Sequence, residues 1–177
     1  MKVYIVRHGE VSSNAKGIYN LVDDKLNEKG IEQANILREK VREINYDVII
    51  SSPLIRAEET SKIINVHDKE ILYDDRLSER DAGSFKGRSL DLTDRYEYWN
   101  YNTEVQQGDE ELIKNFFKRV WEFLDELKRK DYESVIISCH SGVSKAIRGY
   151  FEGIGDGDFL NKGLANCELK LYEFKGE

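Results

Sequence analysis

The chain has 177 residues, of which 40% are hydrophobic and 34% are charged, and its formal net charge is −7. This length and composition predict a single folded domain over residues 1–177 and exclude a largely disordered chain. No apolar run approaches the roughly 20 residues that a membrane-spanning helix needs, and an acidic chain is a poor ligand for a nucleic-acid backbone. We therefore expect neither a membrane nor a nucleic acid as a partner, whereas a local cationic pocket for a small anion is compatible with the net charge.

Five apolar segments have the length and composition of β-strands. Residues 3–6, 48–50 and 135–137 are rich in β-branched side chains and alternate little, which predicts central strands that are covered on both faces. Residues 71–73 form another short apolar segment. Residues 169–174 alternate more clearly between apolar and polar side chains, which predicts an edge or antiparallel strand.

Helical patterns lie between these strands, at residues 31–44, 53–64, 109–130 and 143–151. The second begins with Pro53, a residue that is favourable in a first helical turn. The third opens with acidic residues and closes with basic ones, an order that suits the helix dipole. Glycine-rich residues 153–158 predict a loop. The alternation of strands and helices favours an α/β fold with helices on both faces of the sheet.

Charged side chains follow four of the predicted strands. Arg7 and His8 follow the first, Arg56 lies shortly after the second, Glu79 comes after the third and His140 after the fourth. Because ligands bind outside the carboxyl ends of the strands in open α/β sheets, we expect these side chains to gather at one edge.

These residue types suit phosphate chemistry. Two arginines offer forked donors for phosphate oxygens, and helix N-termini add backbone N–H groups. Nearby positive charge disfavours imidazolium, so a histidine among these groups is a candidate nucleophile, while the second histidine can donate to a transferring oxygen. Glu79 could protonate a leaving alcohol if it is itself protonated; the arginines oppose that state, whereas burial and a bound phosphate favour it.

Five segments, in the order in which they occur, resemble motifs of the histidine phosphatase superfamily, the phosphoglycerate-mutase-like proteins. They are VRHGEVSSN, DDKLNEKGIEQA, SSPLIRAEET, LSERDAGSFKG and IISCHSGV, and they span nearly the whole chain. The resemblance implies a three-layer α/β/α sandwich with a mostly parallel sheet. It also implies hydrolysis that requires no metal and no organic cofactor.

The resemblance further implies roles for individual residues. His8 would be the nucleophile that becomes phosphohistidine, and Glu79 would donate the proton to the leaving group. The phosphate pocket would comprise Arg7, Arg56 and His140. The substrate-binding residues would be Asn14, Asn20 and, through its backbone N–H, Ser141. Two departures from the family pattern stand out. Ser141 stands where many relatives have glycine, which bears on the shape of the pocket. Tyr19-Asn20-Leu21 stands where relatives often carry Gln-Gly, which bears on substrate selectivity.

The cysteines and the third histidine could indicate a chemistry different from that of the family residues named above. Cys139 suggests a thiolate phosphatase, but position 145 holds lysine where that chemistry needs an arginine, so a small buried strand-end residue is favoured. His67 is predicted to lie on the surface. The three histidines and two cysteines show no close ligand pairing, so no zinc site is predicted.

The aromatic segment 95–102 is predicted to serve packing rather than base stacking. Because that stretch covers the site in the family, four residues are nonetheless candidates for specificity: Arg88, Arg95, Tyr96 and Trp99.

The leading prediction is a phosphatase that acts on a small phosphorylated metabolite. The two cysteines are too few for a disulfide framework, which favours a reducing cytoplasm. One alternative is a mutase, although the 60 residues between Glu79 and His140 leave little room for the insertion that covers a mutase site. Another is a phosphate-binding regulatory protein without turnover. A role like that of the α-ribazole phosphatases fits the size by analogy alone, and the oligomeric state is not predicted.

Overall fold

The computed structural model describes residues 1–155 and 163–175, so the predicted loop at 153–158 lies partly outside the described residues. Within this part of the chain, the strands form one sheet in the order β3-β2-β4-β1-β5. The strands are β1 (Lys2–Arg7), β2 (Val48–Ser51), β3 (Ile71–Tyr73), β4 (Ser134–Cys139) and β5 (Leu169–Glu173).

Strand pairing confirms the predicted sheet. The three β-branched segments form β1, β2 and β4, which occupy the centre, and their mutual contacts are parallel. The alternating segment forms β5, an edge strand antiparallel to β1. In the β1–β4 pair, Arg7 lies beside Cys139, so both strands end at the same level and deliver the following residues to one edge.

The helices in the described residues are α1 (Ser12–Lys16), α2 (Glu28–Val41), α3 (Ile55–Ile64), α4 (Arg95–Trp99), α5 (Ile113–Leu127) and α6 (Ser141–Glu152). Two predicted helix starts are wrong. Pro53 lies before α3 rather than in its first turn. The acidic residues that were expected to lead α5 precede it, because the Glu110 carboxylate accepts backbone N–H groups of Gln107 (2.9 Å) and Gly108 (2.8 Å) and thereby stabilises a loop.

The core lies on both faces of the sheet. On one face, Ile5 and Ile137 belong to a cluster with Phe116 and Val120 of α5. On the other face, neighbouring strand residues such as Ile136 belong to a second cluster with α2 and α3. Because each fully buried aliphatic or aromatic side chain contributes about 1.5–3 kcal/mol, these two layers hold the strands and thereby the site. The arrangement confirms the α/β fold with a mostly parallel sheet.

No helix among residues 1–155 and 163–175 combines the length and the apolar character that crossing a bilayer demands.

Candidate active site

A cleft of about 880 Å³ opens at the carboxyl edge of the sheet. Seven of the eight predicted site residues line this cleft: Arg7, His8, Asn14, Asn20, Arg56, Glu79 and Ser141. The exception, His140, is fully buried, and its ring centroid lies 5.2 Å from that of His8. The structure therefore brings together side chains that are far apart in the sequence, as the strand-end argument predicts.

The geometry around His8 leaves one ring nitrogen available for reaction. Its Nδ1 lies 2.7 Å from the carbonyl oxygen of Gly9, and since a carbonyl only accepts, Nδ1 carries the proton. Nε2 is then the unprotonated nitrogen. Burial lowers the pKa of His8 well below its usual value, and the positive charges of Arg56 and Arg7 lower it further. The neutral imidazole is therefore favoured at neutral pH.

The loop after His8 requires glycine for close approach to α2. A Cβ at Gly9 would lie 2.4 Å from the carbonyl oxygen of Gly30, far inside the van der Waals limit. The Gly9 N–H donates to Thr60 Oγ1 on α3 (3.1 Å). The close approach of Gly9 to Gly30 and its hydrogen bond to Thr60 hold the backbone that positions the His8 ring.

Arg7 and Arg56 line the cleft together with His8. Arg7 Nη1 donates to the Leu164 carbonyl and Arg56 Nη1 to the Leu21 carbonyl, each at 2.9 Å. The buried Nε atoms of both arginines have no hydrogen-bond partner within the described chain. Burial lowers the pKa of both groups, and Glu79 opposes this shift. These two guanidinium groups, Arg56 buried and Arg7 partly buried, each keep an unpaired Nε donor and are suited to an oxyanion.

His140 lies behind His8 as a second neutral ring. Its Nε2 lies 2.8 Å from Ser52 Oγ, and its buried Nδ1 has no partner among the described residues. Burial lowers the pKa of His140 well below its usual value, with further contributions from Arg56 and His8. A neutral ring with one free nitrogen can serve as a hydrogen-bonding group toward a phosphoryl oxygen.

Glu79 faces the same cleft from the loop after β3. Its Oε2 accepts the N–H of Gly142 at the start of α6 (3.0 Å), and its Oε1 accepts the N–H of Arg80 (3.0 Å). A Cβ at Gly142 would lie 2.2 Å from Glu79 Oε1 and 2.4 Å from Trp99 Cη2. Glycine at position 142 is therefore what allows the carboxyl group and the indole ring to meet at the helix N-terminus.

Arg119 of α5 fixes the loop that carries Glu79. Its guanidinium donates to the carbonyl oxygens of Arg76 (2.7 Å), Ser78 (2.8 Å) and Glu79 (3.2 Å). It also forms two hydrogen bonds with the Glu111 carboxylate, at 2.8 and 2.9 Å. Sequence reasoning missed this residue, because nothing local distinguishes Arg119 from a solvated helix charge.

Three asparagines line the cleft near His8. Asn14 Nδ2 donates to Asn20 Oδ1 at 3.0 Å, so these two predicted residues contact each other. Asn166 Nδ2 donates to the His8 carbonyl at 2.9 Å. Asn166 was not predicted, since it precedes an edge strand and carries no motif of its own.

The specificity candidates divide into two groups. Arg95 and Trp99 line the cleft, whereas Arg88 and Tyr96 are not among its lining residues. Lys145 also lines the cleft, although its position in the sequence gives no sign of a role in specificity. Tyr98 and Trp99 are buried, so the packing predicted for this segment is confirmed for them, and Trp99 faces the cleft as well.

The expectations for Cys139 and His67 are confirmed. Cys139 is fully buried, and burial raises the pKa of its thiol far above neutrality, which opposes a thiolate nucleophile. His67 is exposed beside Tyr46. In the part of the chain that the structure describes, no three His, Cys, Asp or Glu side chains converge as metal ligands would.

The fold and the cleft define an α/β protein with an oxyanion-type site built around a neutral, buried histidine. The chain belongs to the histidine phosphatase superfamily (branch 1), whose family model matches residues 3–177. Phosphoserine phosphatase 1 of Hydrogenobacter thermophilus (strain DSM 6534 / IAM 12695 / TK-6) is 28% identical over 182 residues, which cover 97% of this chain and 85% of that protein.

Two further comparisons show the range of relatives. A protein of Enterobacter sp. (strain 638) named probable phosphoglycerate mutase GpmB is 39% identical over 102 residues, covering 56% of this chain and 47% of that protein. The crystal structure of the α-ribazole phosphatase from Shigella flexneri superposes with a TM-score of 0.85 at 22% identity, covering 99% of this chain and 91% of that one. The structural likeness supports the phosphoglycerate-mutase-like fold.

Proposed function

We propose that this chain hydrolyses a small phosphate monoester through a phosphohistidine on His8. One observation carries the proposal. The Gly9 carbonyl holds the His8 proton on Nδ1, which leaves Nε2 unprotonated in a cleft that Arg7, Arg56 and Glu79 also line. A neutral nucleophile among oxyanion donors and next to a potential proton donor is the arrangement that phosphoryl transfer needs.

In the first step, His8 Nε2 attacks the phosphorus atom and the bond from phosphorus to the ester oxygen breaks. Glu79 gives its proton to that oxygen, which departs as an alcohol. The guanidinium groups of Arg7 and Arg56, with His140, stabilise the equatorial oxygens of the transferring group. Asn14, Asn20 and the backbone N–H of Ser141 supply further hydrogen bonds to the substrate.

In the second step, a water molecule attacks the phosphorus atom of the phosphohistidine. The Glu79 carboxylate accepts a proton from this water, and the bond from phosphorus to His8 Nε2 breaks. Inorganic phosphate leaves, and Glu79 and His8 return to their starting protonation states. No metal or organic cofactor enters either step.

The proposal is tested by comparing His8→Asn with His67→Asn on phenyl phosphate. Removing the nucleophile should lower kcat by at least about 10³-fold, since loss of a covalent nucleophile is among the largest single-residue effects. His67 is exposed and outside the cleft, so its variant should retain wild-type turnover. Wild-type turnover by His8→Asn would refute the proposal.

A mutase is the second candidate, and the partial match to a phosphoglycerate mutase relative favours testing it. The same residues would transfer the phosphoryl group back to another hydroxyl of the substrate. We favour hydrolysis, because the wide cleft and the short stretch from Glu79 to His140 offer little to exclude water. Isomerised phosphoglycerate appearing faster than free phosphate would establish the mutase instead.

A regulatory protein that binds phosphate without turnover is the third candidate. It predicts measurable phosphate affinity with neither a burst nor steady-state release of alcohol.

The proposal extends to the setting of the reaction. Residues 1–177 would form one domain, the substrate would be a small metabolite, and the reaction would take place in the cytoplasm. Phosphoserine and α-ribazole phosphate, which the names of the relatives suggest, are the first members of the substrate panel.

A further inference from the structure

The part of the cleft next to Glu79 is built around the indole of Trp99. Glu79 Oε1 and the Trp99 ring edge both border the space that a Cβ at Gly142 would occupy, so the carboxyl group and the indole lie side by side. If Glu79 protonates the leaving oxygen, the rest of the leaving group must lie on this side of the cleft. Trp99 and its neighbours therefore form the surface that the leaving alcohol contacts.

Arg95 holds an unmatched positive charge at this surface. Its guanidinium carbon lies 5.2–5.9 Å from the ring centroids of Tyr19, Tyr98 and Trp99, so the group sits on an aromatic platform. Its Nη1 donates to the Tyr19 hydroxyl (2.9 Å). Among the described residues, no carboxylate lies within ion-pair distance of Arg95, although the side chain is half-buried.

Three other charged groups that line the cleft have ion-pair partners. Arg80 lies over Tyr98 and faces the Glu110 carboxylate at 4.0 Å. The acidic side chains of Asp81 and Glu111 pair with Lys86 and Arg119, respectively. A second cation, Lys145, places its Nζ 4.5 Å from the Trp99 ring centroid. Arg95 and Lys145 therefore place two cations at this surface, and among the described residues no carboxylate forms an ion pair with Arg95.

We propose that Arg95 binds a carboxylate on the leaving alcohol, so that the substrate is the phosphate monoester of a hydroxy acid. This inference rests on the proposed function. A planar guanidinium fork matches a carboxylate in shape and in its single charge, and the aromatic platform holds the fork in place. Trp99 supplies the apolar face for the carbon atoms between the carboxylate and the ester oxygen.

A matched pair of substrates isolates this contact. 3-Phosphoglycerate and glycerol 3-phosphate share the same carbon chain and phosphate ester, and differ in a carboxylate against a hydroxymethyl group. For the wild-type protein, kcat/KM for the acid should exceed that for the alcohol by at least about tenfold, the usual scale of a charge-assisted hydrogen bond. The variant Arg95→Gln should remove most of this preference, chiefly by raising KM for 3-phosphoglycerate, whereas kcat/KM for glycerol 3-phosphate should fall by a much smaller factor.

Two further variants control for charge and for folding. Arg88→Gln removes an exposed arginine outside the cleft and should leave the preference unchanged. Arg95→Lys retains the charge and should retain part of the preference. An equal loss for both substrates in Arg95→Gln, or a wild-type protein that does not prefer the acid, would overturn the inference.

The outcome separates this inference from the proposed hydrolysis. If phenyl phosphate and both of these esters resist hydrolysis, the proposed function fails, and calorimetric binding of the same two esters still decides the role of Arg95. Tighter binding of 3-phosphoglycerate that Arg95→Gln abolishes supports the carboxylate contact. Equal affinities for the two esters refute it.

Discussion

Replacing Gly142 by alanine should disable proton donation while leaving the fold intact. The added Cβ would lie 2.2 Å from Glu79 Oε1 and 2.4 Å from Trp99 Cη2, whereas real Cβ contacts are essentially never shorter than 3.0 Å. The carboxyl group or the indole must therefore move by roughly 1 Å. A displacement of this size at a catalytic group can cost about 10²-fold in rate.

The loss should depend on the leaving group. In the proposed mechanism a phosphate ester of an alkyl alcohol takes a proton from Glu79, so its kcat should fall by about 10²-fold. A nitrophenyl ester has a leaving group that departs without protonation, so its kcat should fall much less. Overpacking should lower the free energy of unfolding by about 1–3 kcal/mol, which a thermal melt will detect.

Gly149→Ala is the matched control on the same helix. Its nearest contact would be the Cδ1 atom of Ile154 at 2.8 Å, the flexible end of a side chain outside the cleft. This variant should keep wild-type turnover of both esters. Equal losses for alkyl and nitrophenyl esters in Gly142→Ala would refute the assignment of Glu79 as proton donor.

Three other substitutions or conditions test the surroundings of the site. Arg119→Gln should release the loop that carries Glu79, so the turnover of alkyl esters should fall about tenfold and that of nitrophenyl esters should fall less. As a control, Arg76→Gln should affect alkyl and nitrophenyl esters equally. In the unfolded chain His8 and His140 have their ordinary pKa of about 6.5, whereas burial lowers the pKa of both in the folded protein. As the pH falls, the unfolded chain therefore binds these two protons before the folded protein does. Urea titrations should therefore show stability falling between pH 6.5 and 5.5 by at most about 1.4 kcal/mol per histidine, and His8→Asn should reduce this loss. Cys139→Ser should retain phosphatase activity, and native Cys139 should resist iodoacetamide at pH 7.5, since burial raises the pKa of its thiol.

The central sheet was predictable because its evidence is local. Runs such as residues 135–137 are apolar at every position, which only a strand covered on both faces requires. Parallel strands then place their carboxyl ends together, so Arg7, His8 and His140 could be predicted to meet before their distances were known. The antiparallel edge strand followed from its alternation in the same way.

The support of the site was not predictable, because it depends on contacts between distant elements. Arg119 binds carbonyl groups about 40 residues earlier in the chain, and Gly142 is required only because two side chains from other loops converge on it. The acidic start expected for α5 failed for a related reason. Glu110 and Glu111 serve the preceding loop and Arg119, and tertiary partners outweighed the helix dipole.

The most direct test of the account is to find which atom carries the phosphoryl group. The protein is mixed with a ³²P-labelled ester and quenched, and the adduct is mapped by mass spectrometry and by its stability in acid and base. The account predicts an acid-labile, base-stable phosphoryl group on Nε2 of His8, since the Gly9 carbonyl keeps the proton on Nδ1. Phosphorylation of Nδ1, of another residue, or turnover without any trapped adduct would contradict it.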